Sequence, residues 1–252
     1  MAISISAVII TFNEERNIAR CLASLKTIAD EIVVIDSFST DKTELICKEH
    51  NVKFIQHAFE GHLEQKNFAI DSAQNEWILS LDADEALTEQ LQKSILEMKA
   101  NPIASGYRMN RLTNYCGKWV KYCGWYPDTK IRLVNRNFAR WTGVNPHDRL
   151  DMINSEKTEF LNGDLLHYSY YTKEDHLKQI EYFGNIAANE LFARNGRSSN
   201  VKIVIKVIAQ FFKSYFLKLG ILDGKTGFTI SRLSAYATYR KYLMLLNLQR
   251  QK

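Results

Sequence analysis

Trp77-Ile78-Leu79-Ser80-Leu81-Asp82-Ala83-Asp84 decides the fold: a short apolar run broken off by two carboxylates one residue apart. A run of this length, bounded by polar residues, reads as a strand buried on both faces. Three earlier runs share its character. Residues 3–10 form a nearly unbroken, β-branched-rich stretch, residues 31–35 end at Asp36-Ser37, and residues 52–56 form the third. Helical patterns separate them. One carries Ile18, Cys21, Leu22 and Leu25; one opens at the N-cap candidates Thr40/Asp41 and carries Leu45, Ile46 and Cys47; the last spans 62–73. Alternating strands and helices predict βαβ units and an α/β fold with a mostly parallel sheet flanked by helices. Ligands of such sheets bind outside the carboxyl ends of the strands. The polar residues gather at those ends: Thr11, Asn13 and Glu14 after the first strand, Asp36 and Ser37 after the second, Asp82 and Asp84 after the fourth.

Composition sets the outer bounds. The chain has 252 residues, 46% hydrophobic and 24% charged, with three prolines and eleven glycines, which suits one folded domain with an extension rather than domains on long linkers. The formal charge of +5 is compatible with an anionic ligand or an acidic membrane surface, and much of it falls in the second half. Cys21, Cys47, Cys116 and Cys123 include no CxxC and no zinc spacing, so reduced thiols are expected; only Cys116 and Cys123 lie close enough to pair locally. The opening residues lack a basic segment ahead of a long apolar one, so no signal peptide is expected. No run of 18 uncharged apolar residues occurs, so no spanning helix is expected.

There is no GxGxxG and no GxxxxGK[ST], so no glycine cradle is available for phosphates. A sheet that lacks one but ends a strand in Asp-x-Asp can hold a diphosphate through a hard divalent cation, Mg²⁺ or Mn²⁺. The tripeptide alone is more often a solvated turn. Its position at a strand end, in register with Asp36, gives it weight.

Four segments then match in order: Val8-Ile9-Ile10-Thr11-Phe12-Asn13-Glu14-Glu15 with Asn17-Ile18, Glu31-Ile32-Val33-Val34-Ile35-Asp36-Ser37-Phe38-Ser39-Thr40-Asp41, Gln65-Lys66-Asn67-Phe68-Ala69, and Trp77 to Glu85. Together they resemble the inverting GT-A glycosyltransferases of family 2 over the first ~110 residues. The resemblance implies a Rossmann-like GT-A fold with a nucleotide-sugar-binding half over 1–110, an acceptor-binding and catalytic half over 111–172, and a helical C-terminal region over 173–252. It implies that Thr11, Asn13, Glu14 and Asp36 contact the nucleoside, that Lys66 lies near the nucleotide, and that Asp82 and Asp84 meet ribose, metal and diphosphate. Phe38 stands where the family has a small residue, which is expected to unsettle that loop slightly.

Residues 105–150 are rich in Tyr, Trp and Arg, including Tyr107, Arg108, Arg111, Tyr115, Trp119, Tyr122, Trp125 and Tyr126. Aromatic faces stack on sugar rings and guanidinium groups pair with phosphate, although packing explains many such residues equally well. No nucleic-acid module is recognisable, so nucleic acid is not an expected partner. An inverting transfer needs a base to take the acceptor proton. Asp128, Asp148 and Asp164 are candidates, with Asp148 first and Asp128 second; the competing role for both is an ion pair with Arg132 or Arg149. In GT-A enzymes a later histidine often completes the metal site, which implies a metal set of Asp84, Asp82 and His167.

Gly124-Trp125-Tyr126-Pro127-Asp128, His147-Asp148, the segment 163–170 and the segment 216–224 resemble bacterial lipopolysaccharide inner-core β-1,4-glucosyltransferases. This narrower resemblance implies transfer of glucose from UDP-glucose to a heptose, by a cytoplasmic protein peripheral on the inner membrane. Other acceptors, a polyprenyl phosphate or another glycan, and a non-catalytic sugar- or membrane-binding role on the same fold, are the alternatives. Residues 174–195, 201–222 and 228–248 read as helices. In the middle one Lys202, Lys206, Gln210 and Lys213 share a narrow face beside a broad apolar one, a pattern suited to an anionic membrane surface, to packing with the lysines in water, or to a dimer interface.

Overall fold

The computed structural model describes residues 2–145 and 148–251; His147, quoted above beside Asp148, lies outside them. Strands β1 (Ile5–Thr11), β2 (Glu31–Asp36), β3 (Lys53–Gln56) and β4 (Trp77–Asp82) alternate with helices α1 (Ile18–Leu25), α2 (Thr43–Glu49) and α3 (His62–Asp71). β1 is central, parallel to β2 and β4, and β3 lies parallel outside β2. β1, β2 and β4 are largely apolar on both faces because both faces are covered. Ile5, Ala7, Ile9, Leu79 and Leu81 pack with Ile18, Cys21, Leu22 and Leu25 of α1, whereas Val8, Val33, Ile35 and Ile78 pack with Ala69 and Ile70 of α3. Each fully buried Ile or Leu contributes about 2 kcal/mol.

Beyond β4 follow β5 (Glu85–Leu87), α4 (Glu89–Ala100), β6 (Gly106–Tyr115), β7 (Lys118–Trp119), β8 (Asp128–Asn135), β9 (Ala139–Thr142), β10 (Arg149–Met152) and β11 (Thr158–Tyr170). The main sheet runs β3-β2-β1-β4-β8-β6-β11-β5, with β7 on β6, and β9 pairs β10 separately. The α/β class is as expected, and the sheet is mixed: parallel through its first four strands, with antiparallel pairing of β8 to both β4 and β6 and of β5 to β11. No helix separates β6 from β8, and without such a crossover a parallel return is not available.

The chain forms two compact units, one from Met1–Arg111 and Asp128–Tyr168, the other from Leu112–Pro127 and Ser169–Lys252. Of the segment 111–172, residues 128–168 thus belong to the first unit, and 112–127 and 169–172 to the second. The second unit contains α5 (Lys173–Ala193), α6 (Asn200–Phe212) and α7 (Gly224–Arg250) around Tyr115, Val120, Cys123, Ile180, Ile230 and Leu233. A capping box of Thr172 and Asp175 starts α5.

The continuous helix expected over 201–222 is not formed. α6 ends at Phe212, a π-turn follows over Lys213–Leu217, Leu219 is left-handed at φ 52°, and a 3-10 turn covers Gly220–Asp223. Close packing forces the turn. A Cβ on Gly227 would sit 1.8 Å from the Gly220 carbonyl oxygen, and one on Gly220 2.8 Å from Cys123 Sγ. The Asp223 carboxylate accepts the Tyr122 backbone N–H at 2.9 Å. All four cysteines are free thiols. No helix among the described residues is long and apolar enough to cross a membrane.

Candidate active site

Register brings the strand-end residues side by side: Ile10 pairs with Asp82 on one flank of β1, and Thr11 with Asp36 on the other. Asp36 is fully buried and accepts from Ser39 N at 2.8 Å and Ser39 Oγ at 2.5 Å. Two left-handed residues, Asn13 (φ 55°) and Phe38 (φ 61°), shape the loops above it. Those loops clamp each other: Asn13 N donates to Ser39 Oγ at 2.8 Å, and Thr40 N donates to Asn13 Oδ1 at 2.8 Å. Phe38 therefore does not loosen the turn; Asp36, Ser39 and Asn13 hold it while the ring stays 53% exposed. Thr11 is buried beneath. Glu14 fixes the start of the next helix, donating its N–H to Thr43 Oγ1 and accepting from Asn17 Nδ2 at 2.7 Å. Burial pushes its carboxyl up to about 7, the Asn17 bond opposes this, and the charges of Asp84, Asp41 and Asp82 add to it.

Asp82 and Asp84 turn into β5, which pairs antiparallel with β11 so that His167 lies opposite Glu85. Tyr168 N donates to the Asp84 carbonyl at 2.9 Å, and His167 Nε2 comes to 3.2 Å from Asp84 Oδ2. Burial alone would lower the imidazole's pKa, but the Asp84 charge and hydrogen bond raise it on balance. Asp82 Oδ1 lies 3.6 Å from Lys66 Nζ, and its Oδ2 3.1 Å from Arg132 Nη2. Burial would raise this carboxyl; Lys66 and Arg132, then His167 and Arg111, hold it well below the usual carboxylate range.

Asp148 reaches the same place by a different route. It directly precedes β10, whose register sets Leu150 against Trp141 of β9. Asn67 on α3 clips β9 to the sheet, donating to the Trp141 carbonyl at 3.0 Å and accepting its N–H at 3.2 Å. Its neighbour Lys66 spans 2.8 Å to Asp148 Oδ2 and stacks 4.2 Å above the Trp141 ring. Asp128 lies farther along, at the head of β8, paired with Arg111 at 2.8 Å and Lys130 at 3.0 Å. Burial would raise its carboxyl, and those two cations lower it. The competing ion pairs expected for the two acids thus have other partners: Arg149 meets Asp151 at 2.7 Å, while Arg132 faces Asp82 and Glu85. Asp164 accepts the Thr88 backbone N–H at the start of α4 and donates its own N–H to Thr88 Oγ1, three residues before His167, about 10 Å along the strand.

Glu85 and Arg132 were missed by the motif reading. Glu85 is fully buried, accepts Arg132 Nη2 at 2.7 Å, lies 3.5 Å from Arg111 Nη1, and takes the Asp82 N–H at 3.0 Å. The result is a row of alternating charge: Asp128, Arg111, Glu85, Arg132, Asp82, Lys66, Asp148. The signal was present, since an arginine inside the apolar run Ile131-Arg132-Leu133-Val134 needs a buried carboxylate. The aromatic residues expected to meet sugar divide differently. Tyr107 and Tyr115 are core residues, and Tyr115, Trp125, Tyr170 and His176 form a ring cluster inside the helical unit; Trp119 is 36% exposed.

Chemically, the first unit offers a carboxylate and an imidazole facing one another, a buried acid ringed by donors on a neighbouring strand, and a second acid beyond a bridging lysine. Among the described residues no three His, Cys, Asp or Glu side chains converge as a cation cage. Asp84 with His167 is a two-point set, which suits a hard cation that takes its other ligands from phosphate oxygens and water.

The profile of the family described as Glycosyl transferase family 2 matches residues 6–146. An uncharacterized glycosyltransferase of Rickettsia bellii is 31% identical over 98% of this chain and 87% of its own length. The lipopolysaccharide core biosynthesis glycosyltransferase LpsC of Rhizobium meliloti is 24% identical over 95% of this chain and 93% of its own. The solved structure of residues 1–349 of TarS from S. aureus with UDP is 15% identical, covering 98% of this chain and 91% of that one, at a TM-score of 0.46.

Proposed function

The chain belongs to glycosyl transferase family 2, and from that premise we propose that it is an inverting, metal-dependent hexosyltransferase moving glucose from UDP-glucose to a heptose of the lipopolysaccharide inner core. The observation that carries the reading is the convergence of Asp36, Asp82, Asp84, His167 and Asp148 at the carboxyl ends of the parallel strands. The relation to a protein named for lipopolysaccharide core biosynthesis supports the acceptor class. On this reading the enzyme works in the cytoplasm, peripherally on the inner face of the inner membrane where that acceptor is built.

The roles follow from position. Asp36, Thr11, Asn13 and Glu14 receive the nucleoside in the cleft outside β1 and β2. Asp84 and His167 would hold a divalent cation, Mg²⁺ or Mn²⁺, which when bound would neutralise charge on the diphosphate. Asp82, oriented by Arg132 and Lys66, meets the ribose and diphosphate side. The acceptor oxygen forms its bond to the anomeric carbon as the carbon–oxygen bond to UDP breaks, with inversion. Asp148 takes the acceptor proton. Lys66 sits between that acid and Asp82, so one side chain ties the donor end to the base.

Labelled UDP-glucose incubated with heptose-terminated core and Mn²⁺ tests the whole reading; transfer of label is the expected outcome. Asp84→Asn is expected to lose ~100-fold or more of that activity while remaining folded by circular dichroism. Asp148→Asn is expected to lose ~100- to 10,000-fold in kcat while still binding UDP with Mn²⁺. Donor hydrolysis without transfer to heptose would move the acceptor to another glycan or a polyprenyl phosphate. Full activity in Asp148→Asn would remove that residue as the base.

A further inference from the structure

The segment 200–222 has four lysines (Lys202, Lys206, Lys213, Lys218) and no carboxylate. Within α6, Ile203 is buried, with Val207 and Phe211 half-buried on the same side. The opposite stripe is bare: Val201, Val204, Ile205, Ile208 and Phe212, spaced i, i+3, i+4, i+7 and i+11, are between 56% and 70% exposed. Lys206 and Lys213 are exposed on the adjoining stripe. Packing of the apolar face with only the lysines in water would have buried those five residues, and it has not.

The apolar surface continues past the end of the helix. The Phe212 and Phe216 rings lie 4.8 Å apart, and Leu217, Leu219, Ile221 and Leu222 follow at 48% to 77% exposure. Leu219 holds a left-handed backbone, costly for a leucine, and still presents its side chain to solvent. Isolated exposed aliphatics need no explanation, but a continuous run of them does.

We propose that this face of α6 and the turn after it docks on an anionic lipid bilayer, the apolar stripe lying among the acyl-chain ends and Lys206, Lys213 and Lys218 reaching the headgroups. Charge selects this occupant. A second copy would bring lysine rows together with no carboxylate in the segment to meet them, whereas an anionic surface matches both features at once. The segment lies along the interface and does not span it, since no helix among the described residues is long and apolar enough to do so. The inference rests on the peripheral location proposed above and is independent of the donor, the acceptor and the proposed site residues.

Full-length protein sedimented with vesicles of phosphatidylglycerol and phosphatidylcholine at 30:70 tests it. Binding is expected, at least tenfold weaker to pure phosphatidylcholine and weakened again by 0.5 M salt. Ile205→Ser with Ile208→Ser, both exposed, is expected to lower binding at least tenfold while leaving melting temperature and UDP-glucose hydrolysis unchanged. Lys206→Gln with Lys213→Gln is expected to lower it ~25-fold, about fivefold per lysine. Equal binding to both vesicle types, or none to either, overturns the proposal. So does a dimer in sedimentation equilibrium that Ile205→Ser with Ile208→Ser dissolves, because a second copy then covers the face. Loss of transfer alone, with vesicle binding intact, would count against the glycosyl-transfer reading and support this one.

Discussion

At the scale of single residues, Glu14 and His167 carry the most specific consequence. Burial, with Asp84, Asp41 and Asp82 nearby, places the Glu14 carboxyl at about 7, above the ordinary 4.5 that applies in the unfolded chain. The folded state therefore holds this proton more tightly than the unfolded state does. Stability is highest below pH 4.5 as far as this group is concerned, falls between 4.5 and about 7, and is level above that. His167 acts in the same direction. Its raised value means that the stability it contributes is present below 6.5 and lost as the pH climbs through the folded value. The ligand-free protein should thus lose stability between pH 5 and pH 8. Glu14→Gln keeps an acceptor for Asn17 but cannot ionise, so it should gain roughly 1–2 kcal/mol over the parent at pH 8 and little at pH 4.5, after allowance for partial solvent screening. Urea melts of both proteins at the two pH values measure this; parallel pH profiles would mean that the carboxylate is not burdened by its neighbours. The row Arg111, Glu85, Arg132 and Asp82 explains why such crowding is tolerated. Each buried acid there has a cation on at least one side, and removing one partner of a buried pair typically costs about 3–5 kcal/mol.

At the scale of elements, the site depends on one clip. Asn67 satisfies both backbone groups of Trp141, and β9 then sets β10 and Asp148. Asn67→Ala leaves a buried donor and acceptor unpaired, which should cost about 2–3 kcal/mol and lower the melting temperature by roughly 5 °C. Asp148 would drift from the donor end, so kcat for transfer should fall ~10-fold with little change in KM for UDP-glucose, since β1, β2 and β4 are untouched. A pure KM effect would show that α3 serves the donor and not the base. The clip also marks where reading the sequence stopped. The strands β1, β2 and β4 were legible because each buries a continuous apolar run with its polar residues at one end, and α1 because Ile18, Cys21, Leu22 and Leu25 recur at helical spacing; both are local patterns. The pairing of Asp84 with His167 was legible only through resemblance, because their sequence separation is bridged by the β5–β11 register. The contact of Lys66 with Asp148 depends on the same kind of long-range register. The break after Phe212 was hidden for another reason: its cause is the approach of Gly227 to Gly220, and helical periodicity carries no record of a neighbouring helix.

At the scale of the whole molecule, the chain places its two proposed jobs in different units. Asp36, Asp82, Asp84, Asp148 and His167 belong to the unit built from Met1–Arg111 and Asp128–Tyr168, and the exposed apolar stripe of α6 belongs to the other. The two kinds of ligand should therefore leave separate footprints. A ligand stabilises the parts of a native structure it touches, and amide exchange reads this locally. With UDP and Mn²⁺, slower exchange is expected in the loops at 11–15 and 36–41, at 82–85 and around 167, and no change over 200–222. With vesicles containing phosphatidylglycerol the pattern should reverse, slowing 200–222 and leaving the strand ends of β1, β2 and β4 as they were. Protection of both regions by UDP and Mn²⁺ alone would mean that donor binding and the helical face are coupled. Docking would then change donor affinity by the same factor by which donor changes docking affinity.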